Sequence, residues 1–161
     1  MIKKIIFSTG GTGGHVLPAI NLMKHFYSKG YSVLLVTDNR GRNFLKDYPE
    51  FKSYILKTDT PTKKNYLKKL ISLFVIFFSI IRSILILKEE KPNLVFGFGG
   101  YVSFPISFAS KLFGLPLIIY ENNMIFGKTN NFLLGIAKKI FTAHKINKKI
   151  PEKFKNKIYQ V

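Results

Sequence analysis

The chain has 161 residues, of which 47% are hydrophobic, so its length and composition predict a folded domain and exclude a disordered chain. It contains no cysteine, which excludes a disulfide framework, a thiolate nucleophile and a thiolate metal site. The formal net charge is +18, and nearly all of the positive charge is lysine, because Arg40, Arg42 and Arg82 are the only arginines. Nucleic-acid readers favour the planar arginine fork, whereas lysine suits phosphates and anionic lipid headgroups. The charge therefore predicts an anionic membrane surface or a diphosphate ligand as partner, and no nucleic acid.

The first part of the chain predicts one strand–helix–strand unit. Residues 2–8 form a short apolar run that stops at a glycine cluster, which is typical of a buried strand before a tight turn. A run with helical apolar spacing follows, with Pro18 in its first turn and Gly30 after its end. Residues 32–37 predict the second strand and complete the unit.

The same alternation continues along the chain. The remaining strands are predicted at residues 52–56, 93–96, 117–121 and 139–143, and the remaining helices at residues 64–90, 103–113 and 130–137. Alternating strands and helices predict an α/β fold, a Rossmann-like, doubly wound parallel sheet, within one domain that covers residues 1–161. A strand order of 3-2-1-4-5 would put the first and fourth strands on either side of the topological switch point.

Three clusters follow the carboxyl ends of predicted strands. They are residues 10–15 (the first glycine loop), 97–103 (the second glycine loop) and 121–130 (the polar loop). Ligands of open parallel sheets bind beyond these strand ends, so we expect the two glycine loops to face each other across a crevice. Glycine permits close approach to an anion, and a helix N-terminus attracts one. The loops predict a phosphate site; the alternative is a pair of tight turns without a ligand.

Two common nucleotide motifs do not fit. The G-x-G-x-x-G fingerprint read from Gly11 meets Val16 at its third glycine, although Asp38 could bind a ribose. A P-loop that ends at residues 127–129 meets Asn122 in place of its first glycine. A nucleotide-dependent oxidoreductase stays a weaker alternative. No Asp-x-Asp motif or histidine cluster predicts a metal, and we expect no cofactor.

Two residues are candidates for proton transfer. His15 lies at the start of a predicted helix, where the dipole disfavours the imidazolium, so a neutral imidazole could take a proton from a hydroxyl. A capping role for His15 is an equally good interpretation. Glu121 ends an apolar strand in the predicted crevice and could be a general base or a hydrogen-bond acceptor.

Residues 70–87 are the most hydrophobic stretch. As a helix they would measure about 27 Å, close to a membrane span, but a central Arg82 would cost about 2.5–3.5 kcal/mol. A crossover helix must also pack on the sheet. The polar stripe of this helix is narrow, so part of its apolar surface must point away from the sheet. This predicts a monotopic membrane-docking patch, the alternative being burial under another domain. The patch is Phe74, Phe77, Phe78, Ile81, Lys68 and Lys69, with further flanking lysines Lys63, Lys64, Lys88 and Lys91.

Three ordered motifs resemble those of the MurG family of peptidoglycan glycosyltransferases. Residues 10–15 read Gly-Gly-Thr-Gly-Gly-His, with Pro18 after them, and residues 99–103 read Gly-Gly-Tyr-Val-Ser. The family's His-Glu-Gln-Asn segment aligns with residues 120–123, where Tyr120 replaces the histidine and Asn122 the glutamine. Gly127, Thr129 and Asn130 match downstream.

The resemblance implies one Rossmann-like half of a GT-B glycosyltransferase. It would move GlcNAc from UDP-GlcNAc to lipid I, the undecaprenyl-diphosphate-linked muramyl peptide, with inversion and without a metal. The product is lipid II of peptidoglycan synthesis, made at the cytoplasmic face of the bacterial inner membrane. We expect His15 to be the base, with Glu121 as the alternative. The acceptor diphosphate is expected at Gly11, Thr12, Gly13, Gly14, Gly99, Gly100 and Tyr101, and the donor at Thr12, His15 and Asn123.

Members of this family carry a C-terminal domain that holds most of the UDP-GlcNAc. The sequence gives no sign of a second domain, so we expect an acceptor-binding half that is inactive alone. The alternative is similar to the two-subunit dolichol-linked GlcNAc transferase: a non-catalytic, membrane-docked acceptor-binding subunit with a separate donor-binding partner.

Overall fold

A computed structural model describes residues 3–60, 65–146 and 150–161. The strands are β1 (Lys4–Ser8), β2 (Ser32–Thr37), β3 (Lys52–Ile55), β4 (Leu94–Gly97), β5 (Leu117–Glu121), β6 (Lys139–Thr142) and β7 (Ile158–Gln160). The helices are α1 (Gly13–Ser28), α2 (Asn39–Arg42), α3 (Tyr66–Glu90), α4 (Ser103–Leu112), α5 (Lys128–Leu133) and α6 (Glu152–Lys155). Predicted positions Ile2, Lys63 and Lys64 lie outside the described residues.

The strands form one parallel sheet in the order β3-β2-β1-β4-β5-β6-β7. In β1, Ile6 is paired with Leu34 of β2 on one side and with Val95 of β4 on the other. The strand order reverses between β1 and β4, so the switch point lies at their carboxyl ends, as the sequence predicted.

Helices cover both faces of the sheet, which confirms the doubly wound α/β fold. On one face α1 packs its buried Val16 and Met23 against strand residues that include Phe7. On the other face α3 and α4 cover strand residues that include Ile6 and Val95. The central strands are therefore buried on both sides, and this explains why they read as continuous apolar runs.

Some element boundaries differ from prediction. The fifth helix runs over Lys128–Leu133 and not residues 130–137, because the Lys138 N–H pairs with Leu117 of β5 and the chain turns into β6. The short α2, α6 and β7 were not predicted. α2 forms because the Asp38 side chain accepts a hydrogen bond from the Gly41 N–H at 2.8 Å.

Helix α3 turns its polar stripe toward the protein. Ser72, Ser79 and Ser83 are buried. The Ser72 hydroxyl donates to Asp59 at 2.9 Å, and the Ser79 hydroxyl donates to the carbonyl of Lys57. The opposite, apolar face is exposed: Phe78, for example, is 64% exposed. By length and composition α3, with 25 residues, could cross a membrane: its most apolar 18-residue window has a mean hydropathy of 2.7, and 28% of that window is buried.

Candidate active site

The two glycine loops are in direct contact. The Gly10 N–H donates to the Gly99 carbonyl at 2.9 Å. Gly99 and Gly100 have φ of +87° and +78°, which side chains with a Cβ rarely adopt. The loops that follow β1 and β4 therefore form one continuous backbone wall. The expectation that they face each other across a crevice is wrong, because they touch and the open space lies beside them.

The first glycine loop opens directly into helix α1. Thr12 occupies the N-cap position, is exposed, and makes no capping hydrogen bond with its side chain. The first backbone N–H groups of a helix have no partner within it and carry partial positive charge. The N–H groups of Gly13 and Gly14 and the Thr12 hydroxyl can therefore bind an anion.

His15 lies in the first turn of α1, beside the second glycine loop. A Cβ built on Gly99 would lie 3.6 Å from its Nδ1, so the ring packs against that backbone. The Nδ1 atom is buried and has no hydrogen-bond partner. The other ring nitrogen, Nε2, is consequently the one that can exchange a proton with a ligand.

Glu121 is fully buried at the end of β5. It accepts hydrogen bonds from the Asn123 N–H at 3.0 Å and the Asn123 side-chain amide at 2.8 Å. Further bonds come from the Gly127 N–H at 2.9 Å and the Asn130 side-chain amide at 3.0 Å. A carboxylate offers about four acceptor positions, so this geometry suits a residue that fixes the polar loop better than a proton acceptor.

The polar loop in turn contacts the first glycine loop. The Asn122 side chain donates to the Gly14 carbonyl at 3.4 Å. The Tyr120 hydroxyl donates to Asn122 Oδ1 at 3.5 Å. The two residues that depart from the family motif are thus partners of each other. The Asn123 side-chain amide, predicted to reach the donor, is engaged with Glu121.

Two cavities adjoin this wall. One, of about 600 Å³, lies between the first glycine loop and the residues after β2 and β3. The other, of about 320 Å³, lies between His15 and the polar loop. His15, Gly100 and Tyr101 line both. A ligand seated on the glycine loops would therefore reach into both cavities.

Sequence reasoning missed three cations at these cavities: Arg40, Lys57 and Lys128. Arg40 and Lys57 follow the ends of β2 and β3, and Lys128 follows Gly127. Their positions after strand ends or a glycine could have identified them from the sequence. Acidic side chains are also present, since Asp38 and Asp59 line the larger cavity. The predicted phosphate site is thus of mixed charge, and backbone N–H groups must supply much of its anion affinity.

The Asp38 carboxylate accepts hydrogen bonds from residues of its own turn. Burial opposes its ionisation, but hydrogen bonds from the Gly41 N–H and from Arg40 outweigh burial and hold the pKa of Asp38 below its usual value. A Cβ on Gly11 would lie 2.1 Å from Asp38 Oδ1. This crowding weakens the ribose-binding interpretation of Asp38. In the described part of the chain, no three His, Asp or Glu side chains form a group that could hold a metal ion.

Comparison with known proteins gives concordant results. Residues 5–142 match the profile described as Glycosyltransferase family 28 N-terminal domain. A Pelagibacter ubique protein named UDP-N-acetylglucosamine–N-acetylmuramyl-(pentapeptide) pyrophosphoryl-undecaprenol N-acetylglucosamine transferase is 37% identical over 98% of this chain and 44% of its own length. A protein of the same name from Wolbachia pipientis subsp. Culex pipiens is 37% identical over 86% of this chain and 38% of its own length.

The crystal structure of Acinetobacter baumannii MurG has a similar fold. It superposes with a TM-score of 0.83 at 28% identity, over 98% of this chain and 45% of that one. The chain thus spans less than half of the length of the relatives that it matches.

Proposed function

Because the chain belongs to the family of glycosyltransferase family 28 N-terminal domains, we propose that it is the acceptor-binding half of a GlcNAc transferase of peptidoglycan synthesis. Its sheet is one Rossmann-like half of a GT-B glycosyltransferase. The proposed acceptor is lipid I and the proposed donor is UDP-GlcNAc, by analogy with the names of the relatives. The observation that carries the proposal is the backbone wall formed by the two glycine loops at the switch point.

The acceptor diphosphate lies on this wall. Gly13 and Gly14 offer N–H groups, Thr12 offers a hydroxyl, and α1 adds its positive end, whereas the Gly11 N–H is bonded to the Asp38 carboxylate. From the other side, Gly99, Gly100 and Tyr101 border the site, and the absence of a Cβ lets the two glycines pack against His15 and Gly10. Lys57 and Lys128 flank the two cavities and neutralise part of the ligand's charge.

His15 is the general base of the transfer. Its Nε2 takes the proton from the 4-hydroxyl of the muramyl sugar while that oxygen bonds to the anomeric carbon of GlcNAc. The bond from that carbon to the diphosphate breaks, and UDP leaves with the electron pair from the opposite face, so the configuration inverts. Thr12, His15 and Asn123 border the donor, and Glu121 acts by holding the polar loop.

The rest of the donor site comes from a second domain or from a partner subunit. The matched relatives are more than twice as long as the segment they share with this chain, which supports this division. In the alternative, the chain binds the acceptor without contributing a catalytic group. That alternative predicts normal transfer when His15 is replaced.

The exposed face of α3 docks the protein on the cytoplasmic surface of the bacterial inner membrane. Phe74, Phe77 and Phe78 are each at least 57% exposed, and Ile81 is 39% exposed. Burial of one such side chain contributes about 1.5–3 kcal/mol, and a lysine near an anionic surface contributes about 1 kcal/mol. Lys68 and Lys69 lie at the start of this exposed face. The buried serine face keeps α3 attached to the protein, which favours docking over crossing.

Reconstituted transfer tests the proposal. The chain is mixed with a separately produced donor-binding half of a close relative, UDP-GlcNAc and a short-chain lipid I analogue. We expect product to form only with both halves present, and His15→Ala to lower its rate by about 10²–10⁴-fold. A matched variant in the same turn, Leu17→Ala, should keep its rate. Full activity of His15→Ala would instead support the non-catalytic alternative.

A further inference from the structure

A third, apolar cavity adjoins the site. It has a volume of about 230 Å³ and lies where helices α3, α4 and α5 meet. Its apolar wall consists of Leu73 and Ile76 from α3, Phe104 from α4 and Phe132 from α5. No part of the proposed reaction uses these side chains.

This cavity adjoins both polar cavities, because it shares lining residues with each of them. Tyr101 lines all three cavities. Thr129 is shared with the cavity beside His15, and Thr58 is shared with the larger one. The apolar cavity therefore lies next to the place where the diphosphate is proposed to bind.

The rim of the cavity reaches the protein surface. Leu73 is 47% exposed and Phe132 is 71% exposed. Leu73 belongs to α3, the helix proposed to dock on the membrane. A chain that starts at the glycine wall and passes Tyr101 would thus reach the protein surface beside α3.

We propose that this cavity binds the first isoprenoid unit of a polyprenyl diphosphate ligand, next to its diphosphate. The inference rests on the proposed function, which supplies a ligand with an anionic head and an isoprenoid chain. A cavity of about 230 Å³ has room for roughly eight water-sized groups of about 30 Å³ each. A five-carbon isoprenoid unit fits that space, whereas a hydrated sugar would leave its hydroxyls without partners.

The cavity also sets the direction of the acceptor. With the chain held between α3 and α5, the diphosphate would lie on the glycine wall and the sugar would extend into the polar cavities that His15 lines. The Ser72–Asp59 hydrogen bond at 2.9 Å keeps α3 attached to the segment that borders the cavity. Binding of the chain is therefore expected to orient the acceptor as well as to add affinity.

Titration with two water-soluble ligands tests the inference. The 161-residue chain is titrated with inorganic diphosphate and with geranyl diphosphate, without vesicles or detergent. We expect geranyl diphosphate to bind about tenfold more tightly. Leu73→Gln and Ile76→Phe should remove most of that advantage and leave the affinity for inorganic diphosphate unchanged. The matched control is Leu70→Gln, because Leu70 is 42% exposed on the same helix and does not line the cavity.

Different results would overturn the isoprenoid site and the diphosphate site. Equal affinity for both ligands, or an undiminished geranyl advantage in both cavity variants, would overturn the isoprenoid site and leave the diphosphate site intact. Absence of inorganic diphosphate binding to the unaltered chain would count against the glycine-wall site, and with it the proposed function.

Discussion

Gly10 and Gly100 pack backbone against backbone. A Cβ on Gly100 would lie 2.6 Å from the Cα of Gly10 and 2.8 Å from its amide nitrogen. The contact joins a loop from β1 to a loop from β4, so the two halves of the proposed anion site pack directly on each other.

Gly100→Ala should both destabilise the protein and abolish diphosphate binding. The new Cβ would strain a φ of +78° and collide with the backbone of Gly10. Gly30→Ala is the matched control, because Gly30 has a φ of +80° and a Cβ at that position would meet no atom within 4 Å. Strain alone costs about 1 kcal/mol, so urea unfolding should give a clearly larger loss for Gly100→Ala. Equal losses, with diphosphate binding retained, would contradict the tight contact.

Glu121→Gln separates a positioning role from a catalytic one. A glutamine amide would face the donors from Gly127 and Asn130, so hydrogen bonds are lost in a buried place. We expect a loss of about 1–3 kcal/mol in the free energy of unfolding together with weaker acceptor binding. Chemical denaturation and acceptor titration measure the two effects. Unchanged stability with transfer abolished would instead assign Glu121 as the base.

The buried Glu90 predicts acid sensitivity away from the site. Burial opposes its ionisation, but hydrogen bonds from Lys4, Lys52 and Tyr54 outweigh burial and lower the pKa of Glu90 to about 2. Because the folded pKa lies below the unfolded value of 4.5, this stabilisation is present above pH 4.5 and is lost as the pH falls toward 2.

The corresponding variant is Glu90→Gln. We expect it to unfold at lower urea than the unaltered chain at pH 7, by about 1–3 kcal/mol, and the difference to shrink at pH 3. Glu89→Gln is the control, since Glu89 is 60% exposed on the same turn. A difference between Glu90→Gln and the unaltered chain that does not depend on pH would show that the Glu90 carboxylate is not the source.

If α3 docks on a membrane, its apolar side chains and its lysines should contribute separately to vesicle binding. Phe77→Ser with Phe78→Ser should reduce sedimentation with both neutral and anionic vesicles. Lys68→Gln with Lys69→Gln should reduce it only with anionic vesicles, by about 1 kcal/mol per lysine at low salt. Leu17→Ser is the control, because Leu17 is 51% exposed on α1, which covers the opposite face of the sheet. Undiminished vesicle binding by both double variants would support burial of α3 by another domain.

The sequence predicted those features that depend on local backbone rules. The glycine loops at the strand ends and the parallel sheet follow from glycine positions and from the alternation of strands and helices, and the structure confirms them. The strand order was assumed, and the observed order of the first five strands agrees with that assumption. The identification of the family rests on the same loops. Short elements such as α2 and β7 carry too few residues for a periodic signal, which explains why they were missed.

The packing of side chains was harder to predict. A surface helix usually buries its apolar face and exposes its polar face, and α3 does the reverse. Its serines bond to Lys57 and Asp59, and its phenylalanines face outward. The sequence indicated a narrow polar stripe but not the side to which it points. In the same way, the donors around Glu121 come from three positions of a folded loop, and only the fold brings them together.

The most direct test of the central claim is equilibrium binding to this 161-residue chain. A short-chain lipid I analogue and UDP-GlcNAc are titrated separately into the unaltered chain and into Gly100→Ala. The account predicts that the acceptor analogue binds, that Gly100→Ala abolishes this binding, and that UDP-GlcNAc binds weakly. Tight UDP-GlcNAc binding without acceptor binding would contradict it, and the glycine wall would then be a nucleotide site.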